Sequence, residues 1–238
     1  MVRPTKGGPA GRRGLNVRVK TAKGRKLSST RWLQRQLNDP YVEEAKRQGY
    51  RSRAAFKLIE IDDRHRLLKP GGVVIDLGAA PGGWCQVAAA RVKAGEGKGQ
   101  AQGKVIAADI TDIEPVPGAT FMQVDVTDAE AGEFVRESLG GARADVVLSD
   151  MAASAIGHRQ TDHLRVIALA EAALDIAEDV LKPGGAYLAK VLQGGASGDL
   201  LTRLRKGFAK VAHVKPKASR QGSSEVYVLA TGFRGAPA

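Results

Sequence analysis

Residues Val73-Val74-Ile75-Asp76-Leu77-Gly78-Ala79-Ala80-Pro81-Gly82-Gly83-Trp84 constrain the fold of this chain more than any other stretch. The β-branched and leucine residues predict a buried strand. It runs into a turn of small residues and then opens a helix at Trp84-Cys85-Gln86-Val87-Ala88. Glycine has no Cβ and tolerates positive φ, so such a turn lets a ligand approach the main chain closely. The helix that follows presents unpaired N–H groups at the mouth of the sheet. This geometry suits a nucleotide-like cofactor, without saying which one.

The remaining sequence alternates in βα fashion. Strands are predicted at 72–77, 104–109, 119–124, 144–149, 185–191, 209–214 and 224–231, and helices at 40–48, 52–67, 82–93, 127–138, 163–181 and 197–207. Pro183-Gly184-Gly185 stops the helix before it. The Gly/Lys-rich stretch 93–103 reads as a surface loop. A short link joins the last two strands and predicts an antiparallel hairpin on one edge. The expected fold is α/β and Rossmann-like: a mostly parallel seven-stranded sheet with an antiparallel edge strand, helices on both faces, and ligands at the carboxyl ends of the strands.

The net charge of +12 is unevenly placed. Residues 1–38 hold eleven Lys/Arg and no acid, Asp39–Leu200 carry a net −6, and residues 201–238 a net +7. Basic ends on an acidic-to-neutral body suit a polyanion partner, because phosphate neutralisation supplies sequence-independent affinity. Residues 1–28 are expected to be a basic tail without order of its own, and 29–238 a single domain. The tail reads as a solubilising segment or an RNA-binding arm; its glycines and proline argue against a transit peptide. No apolar run approaches the roughly 18 residues of a membrane span. The single cysteine, Cys85, excludes internal disulfides. A cytoplasmic monomer is expected.

The turn departs from the dinucleotide pattern G-x-G-x-x-G: Ala80 replaces the second glycine and a proline follows. This disfavours a dehydrogenase. Asp76, Asp109 and Asp125 each lie at or near a predicted strand end. Asp109 can accept from both hydroxyls of an adenosine ribose, and Asp125 from an adenine amino group. Three such acids suit a cofactor with a cationic end and no phosphate, a description S-adenosylmethionine meets. Asp150 ends the next strand in Ser149-Asp150-Met151-Ala152, which lacks the Asn/Asp-Pro-Pro-aromatic motif of amino-group methyltransferases. The sole cysteine reads as a packed residue rather than a nucleophile. Transfer to oxygen survives.

Transfer to a ribose hydroxyl calls for a base, and a lysine serves only if its pKa falls well below the usual value of about 10.4. Lys190, at the end of the apolar strand Ala186-Tyr187-Leu188-Ala189, is the candidate. Glu225 opens the last strand and would neighbour it across the hairpin. Lys57 reads, on residue type, as a solvated helix-face lysine. Gly157–His163 contains two histidines, but no cysteine supports a metal site there, so a polar loop and helix cap are expected instead.

Several of these segments together resemble the FtsJ/RrmJ family: Ser29–Gln34, Tyr50–Leu58, the Asp76–Trp84 turn, Ser149–Ala152, Lys190–Gly194 and Ser224–Tyr227, in order. The resemblance implies an S-adenosylmethionine-dependent ribose 2′-O-methyltransferase that modifies a uridine of 23S rRNA, with the large (50S) subunit particle as partner. It implies a catalytic tetrad at Lys57, Asp150, Lys190 and Glu225. Lys190 would be the base, Lys57 and Asp150 would orient ribose and methyl donor, and Glu225 would support the lysines. It places cofactor contacts at Gly82, Trp84, Asp109, Asp125 and Asp150. Ala153 and Ser154 depart from the family's Pro-Asn, which implies a more flexible turn after Asp150. The alternatives are the same chemistry on tRNA or an mRNA cap, and a non-catalytic RNA-binding assembly factor. Arg203, Arg205, Lys206, Lys215, Lys217 and Arg220 would join the tail in gripping phosphates.

Overall fold

The computed structural model describes residues 19, 24, 27–95, 102–153, 156–194, 198–220 and 222–235. Nearly all of the basic tail, most of the 93–103 loop, and Ser154 lie outside them. Among the described residues the first element is a helix that the sequence reading did not anticipate, α1 (Leu27–Leu37), rich in polar residues. α2 (Pro40–Gln48) follows with a full set of end signals. Asp39 accepts from the Tyr41 amide, Pro40 takes the first turn, and Gly49 closes the helix at φ +76°.

The predicted helix at 52–67 is shorter than expected: residues 51–54 form a turn and α3 runs Ala55–His65. Then come β1 (Val73–Leu77), α4 (Gly83–Val92), β2 (Lys104–Asp109), β3 (Ala119–Gln123), α5 (Ala131–Leu139), β4 (Ala144–Ser149) and α6 (Arg159–Val180). The chain ends with β5 (Leu181–Leu192), α7 (Gly198–Gly207), β6 (Phe208–Val214) and β7 (Glu225–Phe233). Pro183–Gly185 stop α6 as expected, but they do so inside β5, where the pairing with β4 shifts register after Ala144. His158 caps α6 by accepting from the Thr161 amide, and Asp162 accepts from the Ile156 and Gly157 amides, so this segment is a capped loop.

The seven strands form one sheet in the order β3-β2-β1-β4-β5-β7-β6. β1 to β5 run parallel to one another, whereas β7 runs antiparallel to both β5 and β6. The hairpin occupies one edge, with the reversed strand one place in from it. Side chains alternate across the sheet as strand geometry demands. Ile75, Ile106 and Val147 face the layer of α5, α6 and α7, while Val74, Val105 and Leu148 face α3 and α4. Strands buried on both faces explain the near-continuous apolar runs in the sequence. None of the described helices is long and apolar enough to cross a membrane.

Candidate active site

Strand order reverses at β1, which has β2 on one side and β4 on the other, and a crevice opens at the carboxyl ends of such strands. Here it is a cleft of about 650 Å³ lined by Gly78, Ala80, Asp109–Thr111, Val124–Thr127, Asp150–Ala153 and three residues of α6, Arg165, Ala168 and Leu169. Gly78 has φ +75°, and a Cβ there would sit 2.4 Å from Met151 Cγ. Only glycine lets the turn after β1 lie this close to the segment after β4.

Carboxylates define the cleft. Asp109 ties its two walls together, its Oδ2 accepting from the Ala80 amide at 2.9 Å and its Oδ1 from the Thr111 amide at 2.8 Å. Asp125 Oδ1 accepts from the hydroxyl and amide of Thr127 at 2.7 and 2.9 Å, which holds its carboxyl below the usual range. Asp76 lies fully buried, taking a bond from the Cys85 thiol on Oδ2 while Oδ1 has no partner. Burial pushes Asp76 up to about 7 against that bond, with Asp150 and Asp109 adding to the rise. The Cys85 thiol is itself pushed up by burial and by Asp76, so this cysteine is no thiolate nucleophile.

Beside the cleft, four charges alternate in sign. Lys190 Nζ lies 2.8 Å from Asp150 Oδ1 and also donates to the Asp150 carbonyl at 2.7 Å. Asp150 Oδ1 is 3.9 Å from Lys57 Nζ, and Lys57 Nζ donates to Glu225 Oε2 at 3.0 Å. Both lysines are buried, an arrangement sustainable only because each faces a carboxylate. Burial raises the Asp150 carboxyl, but Lys190, Lys57 and the Tyr227 hydroxyl together hold it below the usual carboxylate range. Glu225 is likewise held low, the two lysines outweighing burial.

The topology explains this convergence. Lys190 pairs across the sheet with Tyr227, and Leu192 with Glu225, so Lys190, Glu225 and Tyr227 share the face covered by α3, which carries Lys57. The four residues expected to act together therefore come from four elements and meet. Of the expected cofactor contacts, Asp109, Asp125 and Asp150 line one cleft, whereas Gly82 and Trp84 lie outside its lining. The Trp84 ring is buried against Tyr227 at 5.6 Å and donates through Nε1 to the Ala54 carbonyl. Gly82, at φ +105°, caps α4 with the Arg51 side chain packed where a Cβ would be.

Sequence reasoning missed Tyr227, whose hydroxyl donates to Asp150 Oδ1 at 2.6 Å and whose ring lies 5.7 Å from Lys57 Nζ. The signal was present: Tyr227 stands two residues after Glu225 on one strand, hence on the same face. The basic residues separate. Arg203 is paired with Asp175 and Glu178 on the opposite face, and Lys215 donates to the Ser223 carbonyl. Lys217 and Arg220 line a second cleft with Arg35, Arg53 and Tyr41.

A family profile described as FtsJ-like methyltransferase matches residues 50–233, the span that holds the whole sheet, the cleft and the four charges. The chain belongs to this family. Similar proteins share it nearly end to end. One from Parvibaculum lavamentivorans, named ribosomal RNA large subunit methyltransferase E, is 61% identical over 97% of this chain and 91% of its own length. A second of that name, from Roseobacter denitrificans, is 62% identical over 94% of this chain and 93% of its own. Among solved structures, a Plasmodium falciparum protein described as a ribosomal RNA methyltransferase superposes with a TM-score of 0.68 at 32% identity, covering 79% of this chain and 100% of that one.

Proposed function

We propose that this FtsJ-like methyltransferase transfers a methyl group from S-adenosylmethionine to the ribose 2′-oxygen of a uridine in large-subunit rRNA, within the assembling 50S particle of a bacterial cytoplasm. The observation that carries the reading is the alternating chain Lys190–Asp150–Lys57–Glu225 standing beside a carboxylate-lined cleft. The donor's chemistry suits that cleft. Its ribose offers two hydroxyl donors, its adenine an amino donor, and its methionine end positive charge, while the cleft offers Asp109, Asp125 and Asp150. S-adenosylmethionine supplies an electrophilic methyl on sulfur that departs as a thioether.

The chain's own residues do the rest. Lys190 Nζ takes the 2′-hydroxyl proton as the oxygen attacks. Asp150 aims Nζ of Lys190, and Tyr227 fixes Asp150. Lys57 orients the ribose oxygen and is steadied by Glu225. Positioning a nucleophile in line with the methyl, in a site of fixed charges, accounts for the greater part of such a rate enhancement. Gly82 and Trp84 contribute to cofactor binding through main chain and packing. The acceptor base would be splayed from its loop to reach the site, and the enzyme would work as a monomer.

The test is methyl transfer from labelled S-adenosylmethionine to ribosomal subunits taken from cells that lack this protein, followed by nucleoside analysis. Label recovered as 2′-O-methyluridine in large-subunit rRNA is expected. Label appearing only when tRNA is offered would keep the chemistry and overturn the substrate. No label on any RNA, with cofactor binding intact, would point to an assembly factor.

A further inference from the structure

Arg51 is a cation whose side-chain partners are backbone carbonyls. It stands in the turn before α3, six residues ahead of Lys57. Its Nη1 donates to the Pro81 carbonyl at 3.3 Å and to the Glu114 carbonyl, and its Nη2 to the Pro115 carbonyl at 2.8 Å. Its own amide donates to Gln86 Oε1 on α4 at 2.9 Å, and Gln86 in turn donates to the Gly49 carbonyl. The carbonyls belong to two segments far apart in sequence: the turn after β1, and the connection from β2 to β3.

Those two segments are the walls of the cofactor cleft, the first through Gly78 and Ala80 and the second through Asp109, Ile110 and Thr111. On the cleft side they are joined by the Asp109–Ala80 bond. On the outer side the Arg51 guanidinium joins them. Gly82 makes the space for it: a Cβ there would lie 2.8 Å from Arg51 Nη1 and 3.2 Å from both Arg51 Cδ and Val116 Cγ2. A planar fork with donors pointing in two directions suits carbonyls from two segments, which a lysine's single ammonium on a flexible stem cannot match.

We propose that Arg51 is a positioning residue for the methyl donor: it clamps the β2–β3 connection onto the Pro81–Gly82 turn, so that Asp109 and Thr111 are held in place to receive the nucleoside end of the cofactor. This rests on the reading of the cleft as the S-adenosylmethionine site. Without the clamp the connection keeps the Asp109 bond and the packing of Val116 and Ile113 against Ala79 and Cys85, but its Glu114–Pro115 stretch loses its hold on the turn, and binding must then order it. The tetrad, tied through Asp150 and Tyr227, keeps its geometry.

The experiment is calorimetric titration of S-adenosylhomocysteine and S-adenosylmethionine into the full chain carrying Arg51→Ala, Arg51→Lys or Gly82→Ala, paired with steady-state kinetics on large subunits. Arg51→Ala is expected to weaken both ligands about tenfold, the scale of a single lost charge-assisted bond. KM for the donor should rise in step, while kcat at saturating donor and KM for the subunit hold within about twofold. Arg51→Lys should recover part of the loss. Gly82→Ala should weaken binding in the wild-type background and less in the Arg51→Ala background, because its Cβ then has no guanidinium to displace. Unchanged ligand affinity in Arg51→Ala and Arg51→Lys would overturn the clamp, as would a fall in kcat with donor affinity intact. Absence of binding by the wild-type chain would instead strike at the cofactor reading itself. If Arg51→Ala does not fold, Arg51→Lys and the Gly82→Ala comparison carry the decision.

Discussion

Replacing Tyr227 by phenylalanine removes a single atom from the most constrained point of the site. The hydroxyl donates to Asp150 Oδ1 at 2.6 Å, and the tyrosine is fully buried. Phenylalanine keeps the ring against Trp84 at 5.6 Å and near Lys57 Nζ, so little is lost in packing. A hydrogen bond to a charged group is worth about 1.5–3 kcal/mol, and Asp150 retains Lys190 at 2.8 Å, so a loss of about 2 kcal/mol is expected. For a chain of this size that is a fall in melting temperature of about 4–8 °C. With Asp150 less firmly fixed, Lys190 is less well aimed, and kcat should fall about tenfold, since 1.4 kcal/mol corresponds to one decade. Donor affinity should hold. Asp150 sits below the usual carboxylate range because both lysines outweigh burial, with Tyr227 the smallest contributor. Its carboxyl should therefore rise only slightly when the hydroxyl is lost. The assay is the subunit methylation reaction across pH, with calorimetric melting. A variant with wild-type kcat and melting temperature would refute the view that this hydroxyl holds Asp150.

Lys190→Ala should abolish detectable transfer, a loss of at least about 10²-fold for a general base, while calorimetry finds donor binding nearly intact. Glu225→Gln should be milder than loss of either lysine in single-turnover assays, because Lys57 remains 3.9 Å from Asp150. Asp76 is raised to about 7 in the folded chain, so the native state takes up its proton before the unfolded state does and stability falls as pH rises from about 4 to 7. Asp76→Asn should flatten that slope in denaturant melts, leaving the opposite loss below about pH 4, where the lowered carboxyls of Asp150 and Glu225 gain protons. Asp39 caps α2 and bonds Arg53 and Arg220 at 2.9 and 3.0 Å with its side chain 7% exposed. Asp39→Ala should cost about 2–3 kcal/mol in chemical denaturation.

What the sequence made legible follows from how local each determinant is. The turn Asp76–Trp84 could be read because its glycines, its flanking strand and its helix lie within a dozen residues, and Gly78 and Gly82 do adopt the positive φ such a turn needs. Strands β1, β2, β4 and β7 announced themselves through apolar runs that burial on both faces demands. α1 escaped because it is mostly polar and leans on partners distant in sequence, Arg220 donating to Gln36 across 184 positions. The start of α3 was set too early because Arg53 and Ala54 look like helix residues on propensity, yet the Arg53 side chain is spent on the Ala218 carbonyl and that of Arg51, just before, on the carbonyls of Glu114 and Pro115, which hold the turn open. Lys57 is the sharpest case. By residue type it reads as a solvated lysine, and only family resemblance marked it out. Its burial is created by β7, a strand 168 residues later whose Glu225 meets it and whose Tyr227 roofs it. Pairwise register between β5 and β7, and not any local pattern, decides that Lys190, Glu225 and Tyr227 face α3 together. A charge constellation gathered from four elements is therefore legible in the sequence only to the extent that the strand pairing is, because a one-residue slip would turn Glu225 and Tyr227 away from both lysines.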